Sequence, residues 1–208
     1  MLTSAEVRWF FDGPIPKEVE EWFCRSSLAL HAAPREDHYL LFPAALGLGL
    51  KLREGRLEIK PLARTLGACT FAEDVAGTVQ VWEKNAFGEP AIKEFERLRT
   101  SAPHLWIAVR KERTLRKFSL DGGTMTEVQA VTVFMTEGCN AELTKITVDG
   151  SAYWSFNFEA YGNPSRVEDY LQRVAAHVLK DDRRPSYPFP VQNSRSYPEW
   201  LESLATKT

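Results

Sequence analysis

Cations recur at two-residue spacing on short runs of alternating sequence. Lys51 and Arg53 stand in GLGLKLR, Lys60 in RLEIK, Lys111 and Arg113 in HLWIAVRKER, and Arg8 in EVRWFF. Carboxylates recur on runs of the same kind: Glu6, Glu58, Glu83, Glu142 and Glu159. In a strand, residues i and i+2 share a face, so each run reads as one greasy face and one charged face. A solvated sheet face explains any one of them. The return of the pattern on strand after strand suggests a second explanation. If the sheet closes, one face of every strand lines the interior, and a dry interior pays heavily for each unpaired charge. A wet channel holding an anion accepts the same residues. The cations donate to phosphate oxygens, while the carboxylates balance charge or offer hard oxygens to Mg2+.

The elements that carry these residues follow from hydrophobic period and turn residues. Residues 6–11 read as a first strand, broken by Asp12-Gly13-Pro14. A short amphipathic helix over 16–24 shows the stripe Val19, Trp22 and Phe23. Residues 35–42 form a second strand. A hairpin over 47–62 turns at Glu54-Gly55, where glycine supplies the positive φ of a tight turn. Residues 67–74 read as a less regular connection into a strand over 77–84. Glu89-Pro90 opens a helix running to about Arg99. Residues 104–113 are a further strand, and 115–120 run into a turn at Asp121-Gly122-Gly123. Strands over 127–134 and 141–148 follow, and Asp149-Gly150 returns the chain into 152–160. A helix then starts from Asn163, with Ser165 and Glu168 spaced as a capping box. Residues 183–198 are rich in Pro and Tyr, so they form a strap or a tail, closed by a short helix over 198–205. Eight or nine strands with three helices predict a β-dominated α+β fold, whose strands solve the edge problem by curling or closing.

Composition narrows the function. The 208 residues make one domain or at most two small ones, with 44% hydrophobic and 26% charged residues as in ordinary globular proteins. A net charge of −2 and a pI near 6.1 give no global basic field for nucleic acid or acidic lipid, so an anion site needs a local concentration of cations. Cys24, Cys69 and Cys139 are odd in number and far apart, with neither a disulfide framework nor a zinc spacing. The N-terminal run carries Glu6 and no long apolar core, and no apolar run approaches the roughly 18 residues a spanning helix needs. The expectation is a cytoplasmic protein with no membrane or nucleic-acid partner. No phosphate-binding glycine loop, nucleophile elbow or metal-spaced histidine set is present.

The order of the charged motifs resembles the CYTH, or triphosphate tunnel, superfamily of metal-dependent phosphohydrolases and adenylyl cyclases. That family opens with an ExExK strand, where this chain has Glu6-Val7-Arg8-Trp9-Phe10. Its LRIR-like strand resembles Leu50-Lys51-Leu52-Arg53, and its TLK strand resembles Glu58-Ile59-Lys60. A strand ending in glutamate resembles Val81-Trp82-Glu83, and a K-x-R strand resembles Lys111-Glu112-Arg113. The closing ExE strand resembles Asn157-Phe158-Glu159, and the likeness runs from about Glu6 to Lys180. The resemblance implies an eight-stranded antiparallel tunnel over 1–181, with 182–208 as a C-terminal extension. The ligand it implies is a polyphosphate or triphosphate-containing anion, gripped by Arg8, Lys51, Arg53, Lys60, Lys111 and Arg113. Glu6, Glu58, Glu83 and Glu159 would hold Mg2+ or Mn2+, as in a metal-dependent triphosphatase. Three positions depart from the family: Arg8 replaces the second acid of ExExK, Phe10 its lysine, and Asn157 the first acid of ExE. Two carboxylates are thereby removed from the metal shell, and a hard cation with fewer carboxylates binds more weakly.

Two other classes fit the same runs. One is a non-catalytic β-barrel that binds an apolar or mixed ligand, with its charges outside. The other is a degenerate tunnel acting as a partner-binding scaffold, with the Pro/Tyr extension as its contact surface. The direction in which Lys51, Arg53, Lys60, Lys111 and Arg113 point separates the tunnel from the apolar barrel.

Overall fold

The computed structural model describes residues 2–43, 45–129 and 135–206. Among them, nine strands form one antiparallel sheet: β1 (Leu2–Asp12), β2 (Leu30–Leu40), β3 (Leu48–Arg53), β4 (Arg56–Ala72), β5 (Val75–Phe87), β6 (Trp106–Ser119), β7 (Thr126–Val128), β8 (Gly138–Val148) and β9 (Ser151–Tyr161). The order β2-β3-β4-β5-β1-β9-β8-β6 closes on itself, because β2 also pairs with β6. The result is an eight-stranded barrel, which solves the edge problem by closure. The short β7 adds to the far end of β6, outside the ring. The helices are α1 (Lys17–Phe23), α2 (Ala91–Ser101), α3 (Val167–Leu179) and α4 (Tyr197–Ala205). No helix among the described residues is long and apolar enough to cross a membrane.

Two tight turns set the register of the hairpins. Glu54 and Gly55 have φ of 48° and 69°, and Asp149 and Gly150 have 48° and 77°. Positive φ at both central residues is the type I′ requirement, and its twist matches that of the flanking strands. In the second hairpin this register pairs Glu142 with Asn157 and Asn140 with Glu159.

The dry core lies outside the barrel wall. Ala5, Val7 and Trp9 of β1 share a face with Phe156, Phe158 and Ala160 on the neighbouring β9, and α3 covers that face with Tyr170, Leu171, Val174 and Val178. Trp9 buries its ring there and satisfies its Nε1–H on the Ala76 carbonyl at 2.8 Å. Each such side chain removed from water contributes about 1.5–3 kcal/mol. With the apolar residues of β1 spent on this outer core, alternation turns Glu6 and Arg8 inward.

The structure departs from the sequence reading at several elements. Residues 67–74 are not an irregular connection: β4 and β5 form one long hairpin through them, with register shifts at 62/64, 65/67 and 70/72 that break the period-two signal. β6 runs without interruption from Trp106 to Ser119. Ser165 and Glu168 form no capping box. Asn163 Oδ1 accepts from the Ser165 N–H and hydroxyl instead, and α3 starts at Val167 without a side-chain cap. The capping box of this chain is Ser196 with Glu199, at the start of α4. The far part of the strand predicted over 127–134 lies outside the described residues. The Pro/Tyr-rich segment is a strap. Phe189 is buried against the outer core, and Ser194 bridges to Trp9.

A candidate anion-binding cavity

The inward faces of the barrel strands enclose a cavity of about 390 Å³. Arg8, Lys51, Arg53, Lys60, Lys111 and Arg113 all line it, as do Glu6, Glu58 and Glu159. Glu83 does not. Its neighbours Trp82 and Lys84 line the cavity, so the pleat turns Glu83 to the opposite face of β5, where it sits across from Thr3. The cavity adds cations that no motif flagged: Arg35, Lys84, Lys117 and Arg195. Ten cationic side chains thus face four carboxylates, Glu142 being the fourth, in a chain whose net charge is −2.

Asp37 of β2 is the electrostatic centre, at 0% exposure. Lys111 Nζ donates to its Oδ2 at 2.9 Å, Lys51 Nζ at 3.3 Å, and Arg35 Nε lies 3.1 Å from Oδ1. Burial pushes the Asp37 carboxyl up, and the three cations outweigh it and hold it well below the usual carboxylate range. Burial pushes the Lys51 and Lys111 ammonium groups down, each to about 8, against the pull of Asp37. Lys111 also donates to Tyr39 Oη at 2.7 Å and lies 3.9 Å from the Tyr197 ring centre.

The other carboxylates are each held by cations. Lys60 Nζ sits between Glu6, its close partner, and Glu159 at 3.2 Å. Glu58 takes Lys51 and Lys84, both at 3.3 Å, together with Arg53. Glu142 takes Arg8 at 3.6 Å and Arg113 at 3.4 Å, and accepts from Thr144 at 2.9 Å. Burial pushes the Glu142 and Glu159 carboxyls up, and their cations bring both below the ordinary value. Arg113 keeps its buried Nε without a hydrogen-bond partner among the described residues.

The donor set does not fit a protein-held Mg2+ or Mn2+. Among the described residues, no group of three or more His, Cys, Asp or Glu is placed to hold a metal. Glu6, Glu58, Glu142 and Glu159 are engaged by lysine or arginine, and Glu83 faces away. Arg8 and Asn157, paired across β1 and β9, contribute no carboxylate to this wall of the barrel.

Sequence reading missed Arg35, Asp37 and Tyr39, although it placed a strand over them. Their alternation on one face was visible, and REDHY was the available signal. Arg195 and Tyr197 carried no signal, because a Pro-rich strap has no period that points a side chain anywhere.

No protein-family model and no curated protein matches the chain. Among solved structures, the PH1819 protein from Pyrococcus horikoshii OT3 is similar at 14% identity over 98% of this chain and 99% of that one, with a TM-score of 0.46. The PH1012 protein from the same organism is similar at 14% identity over 93% and 98%, with a TM-score of 0.42. A conserved hypothetical protein from Pyrococcus furiosus is also similar at 14% identity over 93% and 98%, with a TM-score of 0.41.

Proposed function

We propose that this barrel binds a polyphosphate or triphosphate-containing anion in its central cavity. The observation that carries the reading is the excess of cations: ten lysine and arginine side chains line one cavity of a chain whose net charge is −2. Such a concentration has no structural use in an apolar-ligand barrel, whose charges belong outside. A flexible chain of phosphates matches it, because each phosphoryl group offers several acceptor oxygens to lysine and arginine donors. The cavity cations, rather than a protein-held metal, neutralise the ligand in this reading.

The test is calorimetric titration of tripolyphosphate and ATP, with and without Mg2+, read alongside phosphate release in the same tubes. Binding without Mg2+ that weakens in Lys60→Ala and Arg113→Ala supports the proposal. Release of phosphate would add hydrolysis to binding. No heat with either ligand under any of these conditions rejects the proposal.

A further inference from the structure

Asp37 gathers two lysines onto one carboxylate oxygen, and this sets one of them apart as a nucleophile. Lys111 Nζ lies 2.9 Å from Asp37 Oδ2, and Lys51 Nζ lies 3.3 Å from the same atom. We propose that Lys51 forms a Schiff base with a small phosphorylated aldehyde or ketone bound in the barrel. The phosphate of that ligand rests on the anion-binding reading above, whereas the carbonyl chemistry rests on the geometry around Asp37.

An ordinary lysine is a poor nucleophile at neutral pH because its amine holds a proton. Withdrawal from water and a second cation alongside both favour the neutral amine. Lys51 meets both conditions. The charged and titratable groups that face it are Asp37 and Tyr39 from β2, Arg53 from its own strand, Glu58 from β4 and Lys111 from β6. Burial is the largest influence on the Lys51 ammonium, and the Lys111 and Arg53 charges act in the same direction against Asp37 and Glu58.

The two lysines divide the work. Lys111 is 3% exposed and fully engaged, donating to Asp37 and to Tyr39 Oη and lying against the Tyr197 ring. Lys51 is 18% exposed and lines the cavity, with Asp37 and Glu58 each 3.3 Å away. Lys51 is therefore the amine a ligand reaches, and Lys111 is the cation that disfavours its proton. The other cavity lysines differ. Lys60 sits between two carboxylates, which hold its proton, and Lys84 is 28% exposed beside Glu58.

The phosphate subsite adjoins this amine. Arg53 and Lys84 both contact Glu58 Oε1, while Lys51 contacts Oε2 of the same carboxylate. A phosphate held by Arg53 and Lys84 thus places a carbonyl a few bonds away beside Lys51 Nζ. The neutral amine adds to the carbonyl carbon, forming the C–N bond as the C=O π pair moves to oxygen. The two amine protons pass to that oxygen, which leaves as water, and a C=N bond remains. Glu58 and Asp37 stand within reach of Nζ to relay those protons, and the step is a condensation with no change of oxidation state.

The experiment treats the full chain at pH 7 with pyridoxal 5′-phosphate, which carries an aldehyde and a phosphate on one ring. Borohydride then fixes the imine, and mass spectrometry maps it. One adduct per chain is expected, at Lys51, formed at least about tenfold faster than at Lys60 or Lys84. Lys51→Arg keeps the charge and should lose the adduct. Pyridoxal, the same aldehyde without phosphate, should react at Lys51 at least about tenfold more slowly. Equal rates at Lys51, Lys60 and Lys84, adducts confined to exposed lysines such as Lys17 and Lys93, or an adduct that survives Lys51→Arg overturn the reactive lysine. In those cases calorimetric binding of tripolyphosphate still keeps the anion site standing. Equal reaction of pyridoxal overturns the phosphorylated ligand. A Lys51 adduct in a protein that gives no heat with tripolyphosphate overturns the oligophosphate reading alone.

Discussion

Replacing Asp37 by asparagine removes the only carboxylate that contacts Arg35, Lys51 and Lys111 together among the described residues. The site is fully buried, so water cannot take over the lost charge. Removing one partner of a buried ion pair costs about 3–5 kcal/mol. The lysines can escape by losing protons, which sets a ceiling: deprotonating one lysine at pH 7 from its unfolded pKa costs about 5 kcal/mol. The expected loss in Asp37→Asn is therefore about 3–5 kcal/mol at pH 7, read by urea unfolding. The sign of its pH dependence follows from the lysines. Their folded pKa values of about 8 lie below the unfolded value, so the folded state binds fewer protons from about pH 8 upward. Above that pH they are largely neutral in the native protein and Asp37 has less charge to balance. The loss in Asp37→Asn should accordingly shrink when unfolding is repeated at about pH 9.5. A loss under about 1 kcal/mol at pH 7, or one equally large at both pH values, refutes Asp37 as the counter-ion of this cluster.

Lys60→Ala deletes the cation shared by Glu6 and Glu159 and leaves both facing the ligand; tripolyphosphate affinity should fall at least about tenfold by calorimetry, and an unchanged affinity excludes Lys60 from the site. Tripolyphosphate affinity should be highest below about pH 8 and decline as Lys51 and Lys111 lose their protons above it; a flat profile between pH 7 and 9.5 contradicts their role. Gly77→Ala tests the outer core, because the new Cβ would stand 2.5 Å from Val7 Cγ2 and 2.7 Å from Trp9 Cζ2. A cost of about 1–3 kcal/mol in urea unfolding is expected, and a neutral substitution would show that this face yields.

Much of this fold was legible because period-two alternation survives wherever pairing is regular. The hairpins at Glu54-Gly55 and Asp149-Gly150, and the faces that Lys51 shares with Arg53 and Lys111 with Arg113, follow from alternation and turn chemistry alone, whereas the inward direction of those faces is set by barrel closure and the outer core. The signal failed where register shifts interrupt it, as along β4 from Leu62 to Ala72. Glu83 misled for a related reason. The motif drew it inward, but Val79 and Val81 on its face belong to the outer core, and the bulky Trp82 faces the cavity. A charged residue at the end of an apolar row has its side set by the row. The cluster around Asp37 was out of reach for a different reason: its partners come from three strands, and only barrel closure brings β3 and β6 to either side of β2. Arg195 and Tyr197 of the cavity lining were hidden because they arrive on a Pro-rich strap with no regular period.

The central claim is that one anion sits among these lysines, and chemical footprinting addresses it directly. Amine-reactive labelling of the native protein, with and without tripolyphosphate, is read residue by residue by mass spectrometry. Protection is expected at Lys51, Lys60 and Lys84, which line the cavity, and not at the exposed Lys17 and Lys93. Labelling of the cavity lysines that tripolyphosphate leaves unchanged, or suppresses equally at Lys17 and Lys93, would contradict a bound anion in the barrel.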